Sequence, residues 1–359
     1  MGANKVRENR TFGRGRLALL GAIAAVSLAS CGSSSAVSST STTTAATTTS
    51  SAALPTVTIA KPIDVEETVL GDVTNQLGYF KQAGVNVKSV LLGGSSVVNA
   101  ALQHGSVQFA IVSASSVLLA AAHGVPLLVV GGINIGDTVQ LVVSNSWTKA
   151  HGLSPNQPLA TRIRGLAGSI DGTISSTDKS AMTDFENQTG VSPSSITEES
   201  ITSVSALLSA LQRGQIQEFI ASPPNSSVAV AGGFGSVLAT ATELPNAGGE
   251  IFDLLVTTKS YAEAHSAIVT AVTSAISKAL GQLNEKTPAG VSAMNASFPK
   301  LSASVIKDSL GGIKWTPSMK MTQQSWNDAL TLAQKSGLIK PGETVNVQPG
   351  GIWTNQYLG

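Results

Sequence analysis

The chain contains Ala101-Leu102-Gln103-His104-Gly105-Ser106-Val107-Gln108 and, 109 residues later, Ala210-Leu211-Gln212-Arg213-Gly214-Gln215-Ile216-Gln217. In each copy an apolar helical stripe stops at a glycine, and a run of β-type residues follows at once. Glycine is favoured just after a helix because the chain turns there through a left-handed conformation that strains other residues. The repeat therefore predicts two similar α/β lobes, and a cleft between two lobes is a place where a small molecule can bind.

The composition is that of a large globular protein with few charges. Of the 359 residues, 42% are apolar and only 12% are charged, about half the usual charged share. The first 16 residues hold five of the 22 basic residues and one of the 21 acidic residues, so 17 basic and 20 acidic residues remain in the rest of the chain. This mildly acidic body argues against electrostatic binding of DNA or RNA.

The first 30 residues have the layout of a secretory signal peptide. Basic residues precede the apolar run Leu17 to Ala29, which is too short to span a bilayer as a permanent helix. The run ends in Leu28-Ala29-Ser30-Cys31, which resembles the bacterial lipobox, whose cysteine receives a lipid and becomes the new N-terminus. We therefore expect lipid attachment at Cys31. The alternative is a free thiol that happens to follow a signal peptide.

The segment 31–53 is predicted to be the lipidated cysteine followed by a flexible tether. After Cys31 it consists almost wholly of Ser, Thr and Ala, a composition that buries too little apolar surface to offset the entropy of ordering. Because Cys31 is the only cysteine, neither an intramolecular disulfide nor a cysteine-based metal site is expected.

Strands and helices alternate through the remainder of the chain. This order predicts an α/β fold of two lobes, each a mainly parallel sheet flanked by helices, with a ligand cleft between them. We assign residues 54–143 and 255–359 to lobe 1, and residues 144–254 to lobe 2. Capping pairs are predicted at two helix starts, Asp64 with Glu67 and Ser260 with Glu263.

Four phrases resemble elements of one protein family. They are Leu77-Gly78-Tyr79-Phe80-Lys81-Gln82-Ala83-Gly84-Val85-Asn86-Val87, Gly105-Ser106-Val107-Gln108-Phe109-Ala110-Ile111, Ala122-His123-Gly124-Val125-Pro126-Leu127 and Gly165-Leu166-Ala167-Gly168. With the lipobox and tether, their order resembles the periplasmic-binding-protein type II fold. Within that fold it is similar to the group that binds nitrate, alkanesulfonates, taurine and thiamine precursors. The resemblance covers roughly Thr56 to Leu338.

Two departures from the family pattern lie in the repeat itself. The family usually shows Asp where this chain has Gln108 and Gln217. We expect these two positions to organise strand ends rather than to contact ligand, so the departures leave the fold prediction in place.

The resemblance implies the extracytoplasmic, lipid-anchored substrate-binding component of an ABC importer. Such a protein captures a small molecule by hinge closure and delivers it to a permease with its ATPase. The resemblance implies a sulfonate-, taurine- or nitrate-like ligand, or a thiamine-precursor-like one. Because aromatic residues make up only 4% of the chain, we expect a small anionic or zwitterionic compound. A monomer without cofactor and without nucleic-acid partner is expected. The alternative is a sensory or adaptor lipoprotein on the same fold.

Three hydroxyl-rich stretches are candidate ligand contacts. In open parallel sheets, ligands bind beyond the carboxyl ends of strands, where helix N-termini direct backbone N–H groups outward. Such donors suit an anionic group, although Ser and Thr at helix starts are usually plain N-caps. The ligand-binding residues predicted in these stretches are Gly94, Ser95, Ser96, Ser113, Ser115, Ser175, Ser176 and Thr177.

Four further candidates follow from their positions. Lys61 and Glu66 come after the first strand, and Glu66 can either receive an amine or load the first turn of a helix. Gln140 lies on the strand predicted to leave the first lobe, where it can reach the cleft or lie on a sheet face. Asn225 follows Pro223-Pro224 and is expected on the cleft wall.

The sequence lacks the patterns of an enzyme. The four histidines are scattered, and the chain has no His-x-x-x-His pair, no Gly-x-Ser-x-Gly elbow and no Gly-x-x-x-x-Gly-Lys loop. With the single cysteine assigned to lipid attachment, we expect no catalytic residues, no metal and no cofactor.

Overall fold

The computed structural model describes residues 53–359 apart from residues 175, 193–194, 202 and 246, and it leaves out the side chains of Ser176 and Thr177. The predicted signal peptide, Cys31 and the tether up to residue 52 lie outside the described residues.

Strands and helices alternate as predicted. The strands are β1 Thr56–Lys61, β2 Asn86–Leu91, β3 Phe109–Ser113, β4 Leu127–Gly132, β5 Asn134–Ile135, β6 Gln140–Ser144, β7 Ile170–Thr173, β8 Thr197–Ser200, β9 Glu218–Ala221, β10 Gly235–Thr240, β11 Asp253–Thr258 and β12 Lys314–Trp315. The helices are α1 Leu70–Gln76, α2 Tyr79–Gln82, α3 Ser95–Gln103, α4 Ala114–Ala122, α5 Asn145–Ala150, α6 Leu159–Arg164, α7 Ser176–Thr189, α8 Val204–Gln212, α9 Asn225–Ala231, α10 Lys259–Ala264, α11 Ser266–Asn284, α12 Pro288–Ser297, α13 Ala303–Ser309 and α14 Gln323–Lys335.

Ten of the twelve strands in the described residues form two five-stranded sheets of matching design, and β5 pairs with β12. The first has the order β2-β1-β3-β11-β4, and the second has the order β10-β6-β9-β7-β8. In the first sheet only β11 runs antiparallel to its neighbours, and in the second sheet only β6 does so. Each sheet is thus mainly parallel, and the predicted two-lobed α/β fold is confirmed.

The chain crosses between the sheets earlier than the predicted lobe boundary. β6 pairs with β9 and β10 of the second sheet, whereas the predicted division assigned residues through Val143 to lobe 1. The returning strand β11 begins at Asp253 rather than near residue 255. Both crossings are misplaced from the sequence because β6 and β11 are buried on both faces, and such strands fit either sheet equally well.

Each sheet is buried on both faces by helices. In the first sheet, Ile59 and Phe109 belong to one apolar cluster, while the adjacent Ala60 and Ala110 belong to another. The same alternation separates Ile220 from Phe219 in the second sheet. Since successive strand residues point to opposite faces, each sheet is the middle layer of a three-layer lobe.

The repeated phrase has the same structure in both lobes. α3 ends before Gly105 and α8 ends before Gly214, with φ of 71° and 72°. The Gln108 side chain accepts a hydrogen bond from the Thr58 N–H at 2.9 Å and donates to the Gly105 carbonyl at 3.2 Å. Gln217 makes the matching pair of bonds in lobe 2. The prediction that these glutamines organise strand ends is confirmed.

Gln217 accepts from the Ile170 N–H at 2.9 Å and donates to the Gly214 carbonyl at 3.1 Å. The amide therefore ties the helix-to-strand turn to the neighbouring parallel strand. A glutamine side chain can do both jobs because it carries an acceptor oxygen and a donor nitrogen.

Neither predicted capping pair forms. α1 begins at Leu70, beyond the predicted pair, and has no side-chain cap. Glu67 is instead fully buried. In the C-terminal part, Thr258 caps the short helix α10 through the Tyr261 N–H, and the long helix α11 starts only at Ser266. Among the described residues, no helix has both the length and the apolar character needed to cross a membrane.

Candidate ligand-binding cleft

Residues of both lobes line a cavity of about 500 Å³. Lobe 1 contributes the loop after β1 from Pro62 to Val65 and the start of α3 at Gly94 and Ser95. Lobe 2 contributes the end of β9 and the start of α9, at Ala221 and Asn225. The volume is within the range of pockets that bind small organic molecules.

Four of the twelve residues predicted to bind ligand lie on the cavity wall. They are Gly94, Ser95, Ser113 and Asn225. Ser175 lies outside the described residues, as do the side chains of Ser176 and Thr177, although their neighbours Ile174 and Asp178 line the cavity. The five predicted residues away from this wall are Lys61, Glu66, Ser96, Ser115 and Gln140.

Two helix starts reach the cavity in different ways. Ser113 caps α4 by accepting a hydrogen bond from the Ser116 N–H at 3.4 Å. The N-terminus of α3 has Gly94 as N-cap and receives no side-chain cap. The open backbone N–H groups of α3 are therefore available to a ligand oxygen, whereas Ser113 combines a capping role with a place on the wall. Ser96 is exposed and does not line the cavity.

Lys61 is held by acidic neighbours. Its ammonium lies 2.8 Å from Asp64 and also binds Asp72. Partial burial opposes the charged form, but the hydrogen bonds to Asp64 and Asp72 outweigh it and raise the pKa of Lys61. Lys61 therefore fixes the loop after β1 instead of facing the ligand.

Glu66 and Gln140 also have structural partners. Glu66 is fully buried and accepts a hydrogen bond from the Ser309 hydroxyl at 2.5 Å. Burial raises the pKa of Glu66 to about 8, against the opposing effect of the Ser309 bond. Gln140 is half-buried at the start of β6, between Ala221 and Thr240 of the neighbouring strands.

Two hydrogen bonds join the lobes beside the cavity, and a third joins the first crossing segment to lobe 2. The Glu66 N–H donates to the Pro223 carbonyl at 3.3 Å. The Asn225 side-chain amide donates to the Asp64 carbonyl at 3.5 Å. The Thr138 hydroxyl on the first crossing segment lies 2.9 Å from the Ser222 hydroxyl. These contacts connect the loop after β1 and the first crossing to the loop after β9.

The acidic residues of the cleft are not among those predicted to bind ligand. Asp253 and Asp178 both line the cavity, and the Asp178 carboxylate also accepts from the Ile174 N–H at 3.1 Å. Asp253 is the one charged residue in the otherwise apolar run from Ile251 to Val256. A charged residue inside such a run was the available signal, because a carboxylate is rarely buried without a role.

Burial shifts the carboxyl groups of Asp253, Glu67 and Asp137 toward their neutral forms, and repulsion by neighbouring carboxylates adds to the effect at Asp253 and Asp137. Burial raises the pKa of Asp253 well above its usual range, and the charges of Glu67 and Asp137 raise it further. Burial also raises the pKa of Glu67 to about 7. The pKa of Asp137 is raised to about 7 by burial and then by Asp184, Glu67 and Asp178.

A second, smaller cavity of about 40 Å³ adjoins Phe252, which lines both cavities. Its wall includes Ser115, Asp137, Asp184 and Glu250. Burial raises the pKa of Asp184 to about 7 and that of Glu250 well above its usual range. Within the described part of the chain, no group of three or more His, Cys, Asp or Glu residues is arranged to hold a metal ion.

Solved structures share this fold at low sequence identity. The aliphatic sulphonate binding protein SsuA from Escherichia coli has a TM-score of 0.63 at 19% identity, over 84% of this chain and 99% of that one. The alkanesulfonate-binding protein SsuA from Xanthomonas axonopodis pv. citri, bound to MOPS, has a TM-score of 0.62 at 16% identity, over 83% and 96%. The nitrate-binding protein NrtA from Synechocystis PCC 6803 has a TM-score of 0.58 at 12% identity, over 71% and 69%.

These likenesses establish the periplasmic-binding-protein fold. No curated protein matches the sequence. A family model does: the one described as NMT1/THI5 like matches residues 73–287, which run from within α1 to just beyond α11 and so include strands and helices of both lobes. The chain therefore belongs to the NMT1/THI5-like family.

Proposed function

We propose that this protein is the extracytoplasmic solute-binding lipoprotein of an ABC importer. The observation that carries the proposal is the cavity of about 500 Å³ whose wall comes from both lobes. Family membership and the fold shared with sulfonate- and nitrate-binding proteins support it. A site of this kind binds a solute in the cleft and has no need of a catalytic group.

The mechanism is closure of the lobes around the solute. The chain passes between the sheets in two segments, one between β4 and β6 and one between β10 and β11. Two crossing segments of this kind allow rotation of one lobe against the other with little repacking inside either lobe. The bonds from Glu66 to Pro223 and from Asn225 to Asp64 then join the lobes beside the enclosed solute.

A screen of small solutes tests the proposal. The purified protein is heated with individual amines, carboxylates, sulfonates, nitrate and aminopyrimidines, and the midpoint of unfolding is recorded. Binding to the folded state raises this midpoint in proportion to the logarithm of ligand concentration. Small-angle scattering with and without each hit should show a smaller radius of gyration in the complex. Absence of any stabilising solute would contradict the proposal.

Lipid anchoring at Cys31 has a separate test. Bacteria that express the full chain are grown with a radiolabelled fatty acid, and the protein is isolated. We expect label in the wild-type protein and none in Cys31→Ser, because Cys31 is the only thiol. Label that persists in Cys31→Ser would remove the lipoprotein assignment and leave the binding function standing.

Delivery to a permease is tested by transport. Cells that lack the protein should fail to accumulate the identified solute, and expression of the full chain should restore uptake. Binding without any effect on uptake would instead favour a sensory or adaptor role.

A further inference from the structure

We propose that the cleft takes a solute with a positively charged nitrogen that bears N–H groups, and that the carboxylate of Asp253 binds this nitrogen. The inference rests on the proposed solute-binding function and deepens it by naming the chemical class of the solute. Among the anionic or zwitterionic ligands expected from the sequence, it excludes the purely anionic ones, such as nitrate.

The first observation is that Asp253 is buried on the cavity wall without a partner. The residue is only 5% exposed and lines the cavity. Over the described residues, no hydrogen bond or ion pair reaches its carboxylate. A buried carboxylate without a partner loses its hydration and gains nothing in return. A ligand cation is the group that would compensate this loss.

Two other buried carboxylates of the protein, unlike Asp253, have a hydrogen-bond partner. Glu66 accepts a hydrogen bond from Ser309, and Glu218 accepts one from Ser169 at 2.7 Å. Neither of these glutamates lines the cavity. Asp253 is thus distinguished by combining burial, the absence of a protein partner and a position on the cavity wall.

The backbone holds Asp253 in a fixed place. Its N–H donates to the Asn134 side-chain oxygen at 3.0 Å, and its carbonyl accepts from the Ile133 N–H at 2.8 Å. It stands opposite Ser113 in the antiparallel pair of β11 and β3, so the two side chains lie on the same face of the sheet. A carboxylate acceptor and a hydroxyl are therefore presented together to the cavity.

The surrounding charges have the same sign as Asp253. Glu67, Asp137 and Glu250 interact with it electrostatically. On the cavity wall itself, the remaining charged residues are Asp64, Asp178 and the exposed Lys300. Asp64 is compensated by Lys61. The inner wall thus favours a cation and repels a sulfonate, a carboxylate or nitrate.

The remainder of the wall suits an organic group. Leu91, Val139, Ile174, Ile220, Phe252 and Phe298 contribute apolar side chains. A cavity of about 500 Å³ is far larger than an ammonium ion needs. The solute class is therefore an organic amine, amidine or protonated nitrogen heterocycle with an apolar part, and a carboxylate elsewhere on the solute is compatible with the open N-terminus of α3.

The solute screen with the full chain tests the class directly. Benzamidine and benzoate serve as a matched pair, since they have the same shape and opposite charge, and taurine, nitrate and MOPS are added. We expect the stabilising solutes to carry a protonated nitrogen with N–H groups. Hits confined to anions without a protonated nitrogen, such as benzoate and nitrate, or to quaternary ammonium compounds would overturn the inference while leaving the binding function intact. No hit at all would overturn both.

The Asp253→Asn variant tests the residue. We expect the dissociation constant of the best cationic hit, measured by calorimetry, to rise by about 30-fold or more, since a buried charge pair is lost. The control is Glu218→Gln, which removes a buried carboxyl group away from the cavity and should leave the constant within about twofold. Equal effects of the two variants would contradict the assignment of Asp253.

The pH dependence of wild-type binding supplies a readout that needs no variant. A cation that pairs with ionised Asp253 should bind more tightly as pH rises from 5 to 8, by up to about tenfold per unit while one carboxyl releases its proton. Glu67, Asp137 and Glu250 titrate nearby, so the difference between wild type and Asp253→Asn isolates the contribution of Asp253. Affinity that falls as pH rises would overturn the inference.

Discussion

At equivalent positions, the first sheet has a pair of apolar residues and the second sheet has a pair of acidic residues. One residue beyond the repeated glutamine, lobe 1 has Phe109 beside Ile59 of the neighbouring strand, and lobe 2 has Glu218 beside Asp171. All four residues are buried. The backbone bonds of Gln108 and Gln217 are the same in both lobes. The backbone scaffold is thus repeated while the chemistry of the core is not.

This difference gives lobe 2 an ionisable core. Burial raises the pKa of Glu218 to about 8, although the hydrogen bond from Ser169 opposes this. Burial and then the charge of Glu218 raise the pKa of Asp171 well above its usual range. Lobe 1 has an apolar pair there, so its sheet centre does not titrate. The comparison teaches that a repeat in sequence marks shared backbone geometry and leaves the side-chain environment undetermined.

We expect the largest change in stability when the apolar pair Ile59 and Phe109 is disrupted. Phe109→Ala removes a fully buried ring that contacts Tyr261 edge-on at 5.6 Å between centroids. We expect a loss of about 3–5 kcal/mol in the free energy of unfolding, because a cavity remains. Urea unfolding followed by tryptophan fluorescence measures it. Phe109→Leu is the control and should lose much less. Equal losses would show that packing around this ring is not tight.

Removing a carboxylate from the buried pair Asp171 and Glu218 should instead raise the free energy of unfolding, by an amount that depends strongly on pH. A carboxyl group whose pKa is higher in the folded state stabilises the fold at low pH, and this contribution is lost as pH rises through the folded-state value. We expect wild-type stability to fall between about pH 5 and 8. Glu218→Gln should flatten this slope and stabilise the protein at pH 8 by about 1–3 kcal/mol.

The unfolding midpoint of wild type and Glu218→Gln, recorded from pH 5 to 8, checks this prediction. The amide of the variant can still accept the Ser169 bond, and it adds a donor facing the two unpartnered oxygens of Asp171. Parallel pH profiles for the two proteins would mean that Glu218 does not titrate in this range.

Removing the equivalent glutamines Gln108 and Gln217 should lower the free energy of unfolding by similar amounts in the two lobes, and by less than Phe109→Ala does. Gln108→Ala and Gln217→Ala each remove one bond to a backbone N–H and one to a glycine carbonyl. We expect each to lower the free energy of unfolding by about 1–2 kcal/mol. Chemical denaturation of the two single variants checks the equality. A clear difference between them would show that one lobe depends more on this turn than the other.

The smallest effect concerns the contact between the lobes. Asn225→Ala removes the 3.5 Å bond to the Asp64 carbonyl, which is long for a strong bond. We expect the dissociation constant of an identified solute to rise by about two- to fivefold through faster release, with unchanged association. Stopped-flow binding measures both rates. A change confined to the association rate would place Asn225 outside the closed contact.

The order of strands and helices was predictable because its signals are local. Helix-ending glycines, apolar periodicity and the repeated phrase each act within a few residues, and they led to two mainly parallel sheets. The residues at which the chain crosses from one sheet to the other could be predicted only to within about one strand. β6 and β11 are buried on both faces, so their composition does not reveal which sheet they join.

The sequence predicted those site residues that lie at the starts of helices directly after strands. Gly94, Ser95, Ser113 and Asn225 lie on the wall, as expected for residues at the starts of helices after strands. Lys61 and Glu66 were assigned to the ligand because they follow β1, yet Asp72 and Ser309, distant in sequence, bind them instead. Asp253 was overlooked because its meaning depends on burial and on the lack of a partner, which only the folded structure reveals.

Hydrogen–deuterium exchange of the full chain with and without its best solute tests most directly whether the solute is held between the lobes. We predict that protection increases together in peptides covering Pro62–Thr68 of lobe 1 and Ala221–Asn225 of lobe 2, because both line one cavity. Protection restricted to one lobe, or located away from both segments, would contradict binding by closure of the two lobes.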